Sequence, residues 1–352
     1  MRIQTHSMNR PALHIICSLV LCVGVVGCMA SDKQVVQQAS QFQTGINPAV
    51  IAQPQVNDYL QQIGSRIVAA ARQLDAQGVG PKTHFQDKDR SWMYQDIKFQ
   101  LVNSKTVNAF TTGGHFVYIY DALFQMCKTE DELAAVMSHE YAHIYCRHVQ
   151  KGTGRQEALA ALTMAAGAGA QYAAGKNQSS AAYAQYAAAA AQTGGTLLED
   201  GYSREDEAQA DQYGFKFYVR AGWPPEHFAD FLKDMIAAGY DKTPAILSNH
   251  PTLASRVQAA EKWAQQVKPG QYQPQPEIAS PQQFAQYKQM AGQASQGMPD
   301  DQKVLAAKNL LTALPRSCWI PVDQPDQKQA QEQIIQAAKQ QQAQQPSPAR
   351  GG

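Results

Sequence analysis

The chain reads as an α+β protein, mainly helical, with a small antiparallel sheet packed on one long, well-capped helix. Three observations carry that expectation. Val56, Tyr59, Leu60, Ile63, Ile67 and Ala71 recur at spacings of three and four, as an amphipathic helix requires. Ile97, Phe99 and Leu101 alternate with polar residues, and after a turn at Gly113-Gly114 the run Phe116 to Tyr120 is rich in strand formers. Thr129-Glu130-Asp131-Glu132 then opens a helix over about 130–150, with Thr129 placed to cap it and Glu132 to complete a capping box.

The other elements follow in order. The helical pattern runs from Ser31 to about Leu74 and breaks at Gly78, Gly80 and Pro81. A short helix is expected from Asp121 to Met126, and further helices at 203–221, 225–239, 251–267, 281–293 and 301–314. Residues 157–192 are dominated by Ala, Gly, Gln and Tyr, and their longest apolar part, Ala158 to Ala170, is too short to span a bilayer. Two readings stay open for them: close-packed small-residue helices, or an element that touches membrane or gates substrate. The tail 326–352, rich in Gln, Ala and Pro, offers little to bury and is expected to fray or stay disordered.

Composition excludes two classes. With 30 Lys+Arg against 29 Asp+Glu in 352 residues, the chain lacks the positive charge by which nucleic-acid binders displace counterions. At 44% hydrophobic and net +1 it is not an acidic, solvating chain either. Six cysteines are too few for a disulfide scaffold.

The N-terminus points to export. Arg2 and Arg10 precede an apolar stretch from Leu13 through Val26, followed by Gly27-Cys28. Val25-Val26-Gly27-Cys28 resembles a bacterial lipobox, with Cys28 as the lipidated first residue of the mature chain; ordinary secretion with Cys28 as a bystander is the alternative. Met29 stands where Asp would retain a lipoprotein at the inner membrane, which directs the expectation to the periplasmic face of the outer membrane. Cys127, Cys146 and Cys318 remain, and an oxidising compartment favours pairing Cys318 with Cys127 or Cys146. The expected division is a signal peptide at 1–27, a catalytic domain at 28–270, a helical extension at 271–325 and the tail at 326–352.

The chemistry lies in His139-Glu140-Tyr141-Ala142-His143. At about 100° per residue the two histidines stand about 40° apart on one helix face, so both imidazoles can reach one zinc ion while Glu140 faces a metal-activated water. A catalytic zinc needs a third ligand. His148 lies five residues past His143, about 180° from His139 on the helical wheel, and reads as a cap or packing residue. Cys146 lies over the ligand face, either as a thiolate closing a structural site or in a disulfide or packing role. Glu207 is the better donor: on a helix opened by Ser203-Arg204, it precedes Asp211 by one i,i+4 step, so Glu207 can ligate while Asp211 orients a ligating histidine.

Taken together, these motifs resemble metallopeptidase family 48, the gluzincins that include HtpX-like and CAAX-prenyl-protease-like enzymes. The markers run in order: Asn108-Ala109-Phe110 before Gly113-Gly114, His139-Glu140-Tyr141-Ala142-His143, Arg147-His148, Ser203-Arg204 with Glu207 and Ala210-Asp211, and His250-Pro251 with Arg256. The resemblance implies a zincin-like metalloprotease domain with one Zn2+ per chain on His139, His143 and Glu207, and Glu140 as general base. It implies that Phe116–Tyr120 is an edge strand, so polypeptide substrate would add as an antiparallel strand beside Gly114, His115, Phe116, Val117 and Tyr118. His250 stabilises an oxyanion, occupies the open zinc position, or caps the helix that follows. Arg204 and Arg256 would partner acids near the site or form surface salt bridges.

Without spans after the signal, the chain looks closer to the family's periplasmic branch that acts in outer-membrane quality control. Misassembled envelope proteins are the implied substrates and the outer-membrane assembly machinery the implied partner. A membrane-tethered chaperone or assembly factor that rarely cleaves is the competing reading, and a structural zinc lipoprotein a third.

Overall fold

The computed structural model describes residues 31–81, 89–151, 202–241, 251–312, 319 and 329. The segment expected to be helical from 31 to 74 forms two helices, α1 (Asp32–Ile46) and α2 (Pro54–Ala76). Pro48 and Pro54 explain the break, because each disfavours helix in the residue before it and Pro54 is pre-set for a helix start. Val35, Ala39, Phe42 and Ile46 bury one face of α1, while Val56, Tyr59, Leu60, Ile63 and Ile67 do so for α2.

Three strands form one sheet: β1 (Lys98–Val102), β2 (Ala109–Thr111) and β3 (Phe116–Tyr120), in the order β1-β3-β2. β3 runs antiparallel to β2 but parallel to β1, so the sheet is mixed rather than antiparallel. It is also not the expected edge strand: β3 lies in the middle, with Lys98 opposite Phe116 on one side and Thr111 opposite Val117 on the other. The reason is its composition, since Val117, Tyr118, Ile119 and Tyr120 are all buried, and a strand apolar on both faces belongs inside a sheet. The outer side of β1 is bonded to residues 49–51 through Ile51 N to Leu101 O and Asn103 N to Ala49 O, which leaves β2 as the sheet's other edge among the described residues. The β2–β3 turn uses Gly113 at φ +76, a left-handed conformation that glycine adopts without strain.

α3 (Asp121–Met126) leads into α4 (Glu130–Tyr145), whose N-cap Thr129 accepts from the Glu132 N–H while Glu132 Oε2 accepts from the Lys128 N–H. Every residue of α4 except Asp131 is buried, so it is the central helix, packed on β2 and β3 on one side and on α2 and α5 (Arg204–Ala221) on the others. α5 is framed by a Ser203/Asp206 capping box and by Gly222 at φ +96. It crosses α4 at Gly214, where a Cβ would sit 3.0 Å from the backbone of His139. That close approach is what brings the acids of α5 to the histidines of α4.

The helices after α5 are α6 (Asp230–Ala237), α7 (Leu253–Gln265), α8 (Pro281–Gln296) and α9 (Gln302–Thr312). α8 and α9 share the main core: Tyr287 stacks on Tyr59 of α2, Phe284 meets Phe124 edge-on, and Tyr120 donates to Leu311 O at 2.7 Å. Among the described residues no helix is long and apolar enough to cross a membrane. The expectations for the signal peptide, Cys28, the Ala-rich stretch at 157–192, His250, Cys318 and most of the tail fall outside the described residues.

Candidate metal centre

One turn apart on α4, His139 and His143 are both fully buried, with their Nε2 atoms 3.0 Å apart. Glu207, in the first turn of α5, places Oε2 3.5 Å from His139 Nε2 and Oε1 3.9 Å from His143 Nε2. One atom from each of the three residues lies within 4.8 Å of the others. Ligands about 2.1 Å from a tetrahedral zinc stand roughly 3.4 Å apart, so the set is close to the size such an ion needs. Neither oxygen of buried Glu207 receives a hydrogen bond. A carboxylate left bare inside a protein is costly, and a cation shared with two neutral imidazoles removes that cost. The donor set fits the ion.

Each histidine is oriented through its other nitrogen. His139 Nδ1 donates to Asp211 Oδ1 at 2.9 Å, which aims Nε2 at Glu207 and the ion position. Asp211 in turn takes a fork from Arg256, Nη2 to Oδ1 at 2.7 Å and Nε to Oδ2 at 2.8 Å. Burial opposes ionisation of Asp211, but Arg256 and His139 overcome it and hold the carboxyl well below the usual range. Burial likewise opposes protonation of His139, yet Asp211 and Glu207 outweigh it and raise the metal-free imidazole to about 9.

His143 is held differently. Its Nδ1 lies 2.9 Å from Nδ1 of His148, whose Nε2 lies 2.9 Å from Gln209 Oε1. Gln209 offers only an acceptor there, because Lys151 Nζ also donates to the same oxygen. His148 therefore carries its proton on Nε2 and accepts at Nδ1, so His143 donates from Nδ1 and presents Nε2 to the ion. Tyr202 stacks on the His143 ring at 3.8 Å and donates to Thr111 O on β2.

The wheel argument for His148 fails because α4 stops at Tyr145. Arg147 takes φ +55, with Arg147 N bonded to Ile144 O and His148 N to His143 O, a Schellman turn that folds His148 back over the last helical turn. A non-glycine residue pays for that conformation. Buried Asp32 of α1 secures it, accepting from Arg147 Nε at 3.0 Å and from Nη2 at 2.6 Å.

Glu140 is fully buried beside the ligands, and its Oε1 accepts from Trp319 Nε1 at 2.9 Å. Trp319 also stands edge-on to the His139 ring.

The remaining expected residues are placed elsewhere. Arg204 is exposed in the first turn of α5, and the guanidinium that reaches Asp211 is that of Arg256. Gly114 packs against α1, where a Cβ would lie 2.4 Å from that of Ala39. His115 stacks on Trp92, and burial lowers its pKa. Phe116, Val117 and Tyr118 have strands on both sides, so an added strand has no place along β3. Cys146 and Cys127 are buried free thiols; burial pushes Cys146 up to about 12, and it is not among the clustered ligands. Sequence reasoning missed Trp319 and Tyr202; it kept His148 out of the ligand set, as the cluster does, but did not place it against His143.

The family model for peptidase family M48 matches residues 82–264, just over half of the 352. The putative beta-barrel assembly-enhancing protease of Vibrio cholerae is 30% identical over 227 residues, covering 63% of this chain and 42% of that protein. The beta-barrel assembly-enhancing protease of Escherichia coli strain K12 is 28% identical over 222 residues, covering 62% and 41%. The mitochondrial metalloendopeptidase OMA1 of Schizosaccharomyces pombe is 30% identical over 172 residues, covering 48% and 47%. The chain thus spans less than half the length of these relatives. The matched residues hold both ligand-bearing helices and the Asp211–Arg256 pair, and the chain belongs to peptidase family M48, a family of metallopeptidases.

Proposed function

We propose that the protein is a zinc-dependent endopeptidase of the bacterial envelope that hydrolyses unfolded or misassembled envelope proteins. The observation that carries this reading is the buried, hydrogen-bond-free carboxylate of Glu207 converging with two oriented imidazoles beside Glu140. His139, His143 and Glu207 would hold the ion. A zinc ion there supplies Lewis-acid polarisation of a carbonyl and acidifies water. Glu140 accepts the proton of the attacking water and passes it to the departing amine, which completes hydrolysis with atoms balanced. Asp211 and His148 keep both ligand nitrogens aimed at the ion throughout.

Substrate backbone is accommodated at the edge of β2, beside α4, where strand addition would give affinity with little sequence preference. The envelope setting is supported by the names of the bacterial relatives and by the export-signal pattern ending at Cys28. With Cys28 lipidated, the bound position of Asp32 four residues on would keep the catalytic body within about 14 Å of its anchor.

The test is cleavage of an unfolded outer-membrane β-barrel protein by the zinc-loaded chain. Wild type is expected to cut it and Glu140→Gln to bind zinc normally without cutting. Cleavage retained in Glu140→Gln would sink the assignment.

A further inference from the structure

Trp319 lies far along the chain from the metal centre and yet is buried in it, 3% exposed. Its indole rests in a slot built by three separate helices. His139 of α4 meets it edge-on at 4.7 Å, Phe231 of α6 edge-on at 5.7 Å, and the Arg256 guanidinium of α7 lies over its ring at 5.0 Å. At the end of the slot Glu140 Oε1 accepts the indole N–H at 2.9 Å. An apolar ring, a cation over the aromatic face and a carboxylate acceptor at the edge together suit a flat aromatic side chain with a donor.

A general base must have an acceptor oxygen within reach of the proton it takes. Here the Oε1 of Glu140 is engaged by an indole of the same chain, which a group approaching that oxygen would have to displace. We propose that this slot is an aromatic side-chain subsite of the cleft and that Trp319 is its tethered occupant, competing with polypeptide substrate in the resting chain; this rests on the peptidase reading above. Trp319 follows Thr312, the end of α9, by seven positions in the sequence, and Tyr120 anchors α9 through Leu311 O. A tether gives a high effective concentration, so a substrate binds only the fraction of molecules whose slot is open.

The experiment separates competition from a supporting role for Glu140. Binding of a fluorescein-labelled unfolded casein peptide is measured for zinc-loaded Glu140→Gln and for the double variant with Trp319→Ala. Removal of the indole is expected to tighten binding by about tenfold, corresponding to a resting chain that is about one-tenth open. Trp319→Phe, which keeps a ring but loses the N–H donor, should fall between the two and guards against a folding defect in the alanine variant.

Cleavage of the same peptide is followed in parallel for wild type and Trp319→Ala, with a rise in kcat/KM expected. Unchanged or weaker peptide binding in both Trp319 variants would overturn the proposal. So would a lower kcat at unchanged KM, which would make Trp319 a positioning residue for Glu140. Tighter binding with no cleavage by any variant would uphold the occupied subsite while defeating the peptidase reading.

Discussion

His139 and His143 have the same task one helical turn apart, but the protein orients them by different means. His139 leans directly on a charged pair, Asp211 with Arg256, whereas His143 leans on a second imidazole, His148, whose Nε2 meets Gln209 Oε1 and lies 3.5 Å from Asp206 Oδ1. The difference shows how a buried site spaces its charges. Glu207 already brings one carboxylate among groups that water does not reach, and Asp211 is tolerable there because Arg256 neutralises it. On His143 the carboxylate stands one group further out, at Asp206, with the His148 imidazole between it and the ligand.

If that contrast holds, breaking the charged arm should be the most damaging. Asp211→Ala strands Arg256 in the interior and should cost about 3–5 kcal/mol in urea unfolding of the metal-free protein. It should also lower zinc affinity by about 10–100-fold, the usual effect of removing a ligand's carboxylate partner. A loss below about 1 kcal/mol would show that the two arms are energetically alike.

The arm through His148 should yield less. His148→Ala is expected to destabilise by about 1–3 kcal/mol, as for a buried hydrogen-bonding group left without its partner, and to weaken zinc toward the lower end of the same range. Zinc affinity measured in a competitive chelator series gives the order of the two variants, and a larger loss for His148→Ala would reverse the comparison.

Proton uptake sharpens the distinction. In the metal-free protein the raised His139 favours the protonated form, so its contribution is fully present below about pH 6.5 and fades as pH rises through about 9. Thermal melts of chelator-treated protein should therefore fall over that window. For the same reason zinc binding at pH 7.5 should release about one proton, read by calorimetry in buffers of different ionisation enthalpy. Asp211→Ala should abolish that release and His148→Ala should retain it. No proton released by wild type would contradict the charged state of the first arm.

Smallest of all, Tyr202→Phe removes the hydrogen bond to Thr111 O but keeps the ring stacked on His143. Its cost should stay within about 1 kcal/mol, with zinc affinity unchanged.

Much of the centre is legible in the sequence because it is written at helical spacing. His139 to His143 and Glu207 to Asp211 are both i,i+4 pairs, and the caps at Thr129 and Ser203 mark where each helix begins. What was not legible depends on where helices stop and on contacts between distant segments. His148 was extrapolated along a helix that had ended at Tyr145, and the left-handed Arg147 that redirects it is secured by Asp32, 115 positions earlier. The edge position that the family resemblance implies for β3 depends on strand order, a long-range property; the three-residue β2, too short to read as a strand, pairs on its other side and leaves β3 in the middle.

By itself, then, the sequence pointed to the α+β class and to two i,i+4 pairs, His139 with His143 on one helix and Glu207 with Asp211 on another, since each pair follows from periodicity along its own helix. Only the tertiary structure decided that Gly214 lets α5 approach His139, that a second imidazole holds His143, that β3 lies between β1 and β2, and that Trp319 fills the slot beside Glu140. Periodicity specifies which face of a helix carries a group; it does not specify which distant residue that face will meet, because that is settled by packing the whole core at once.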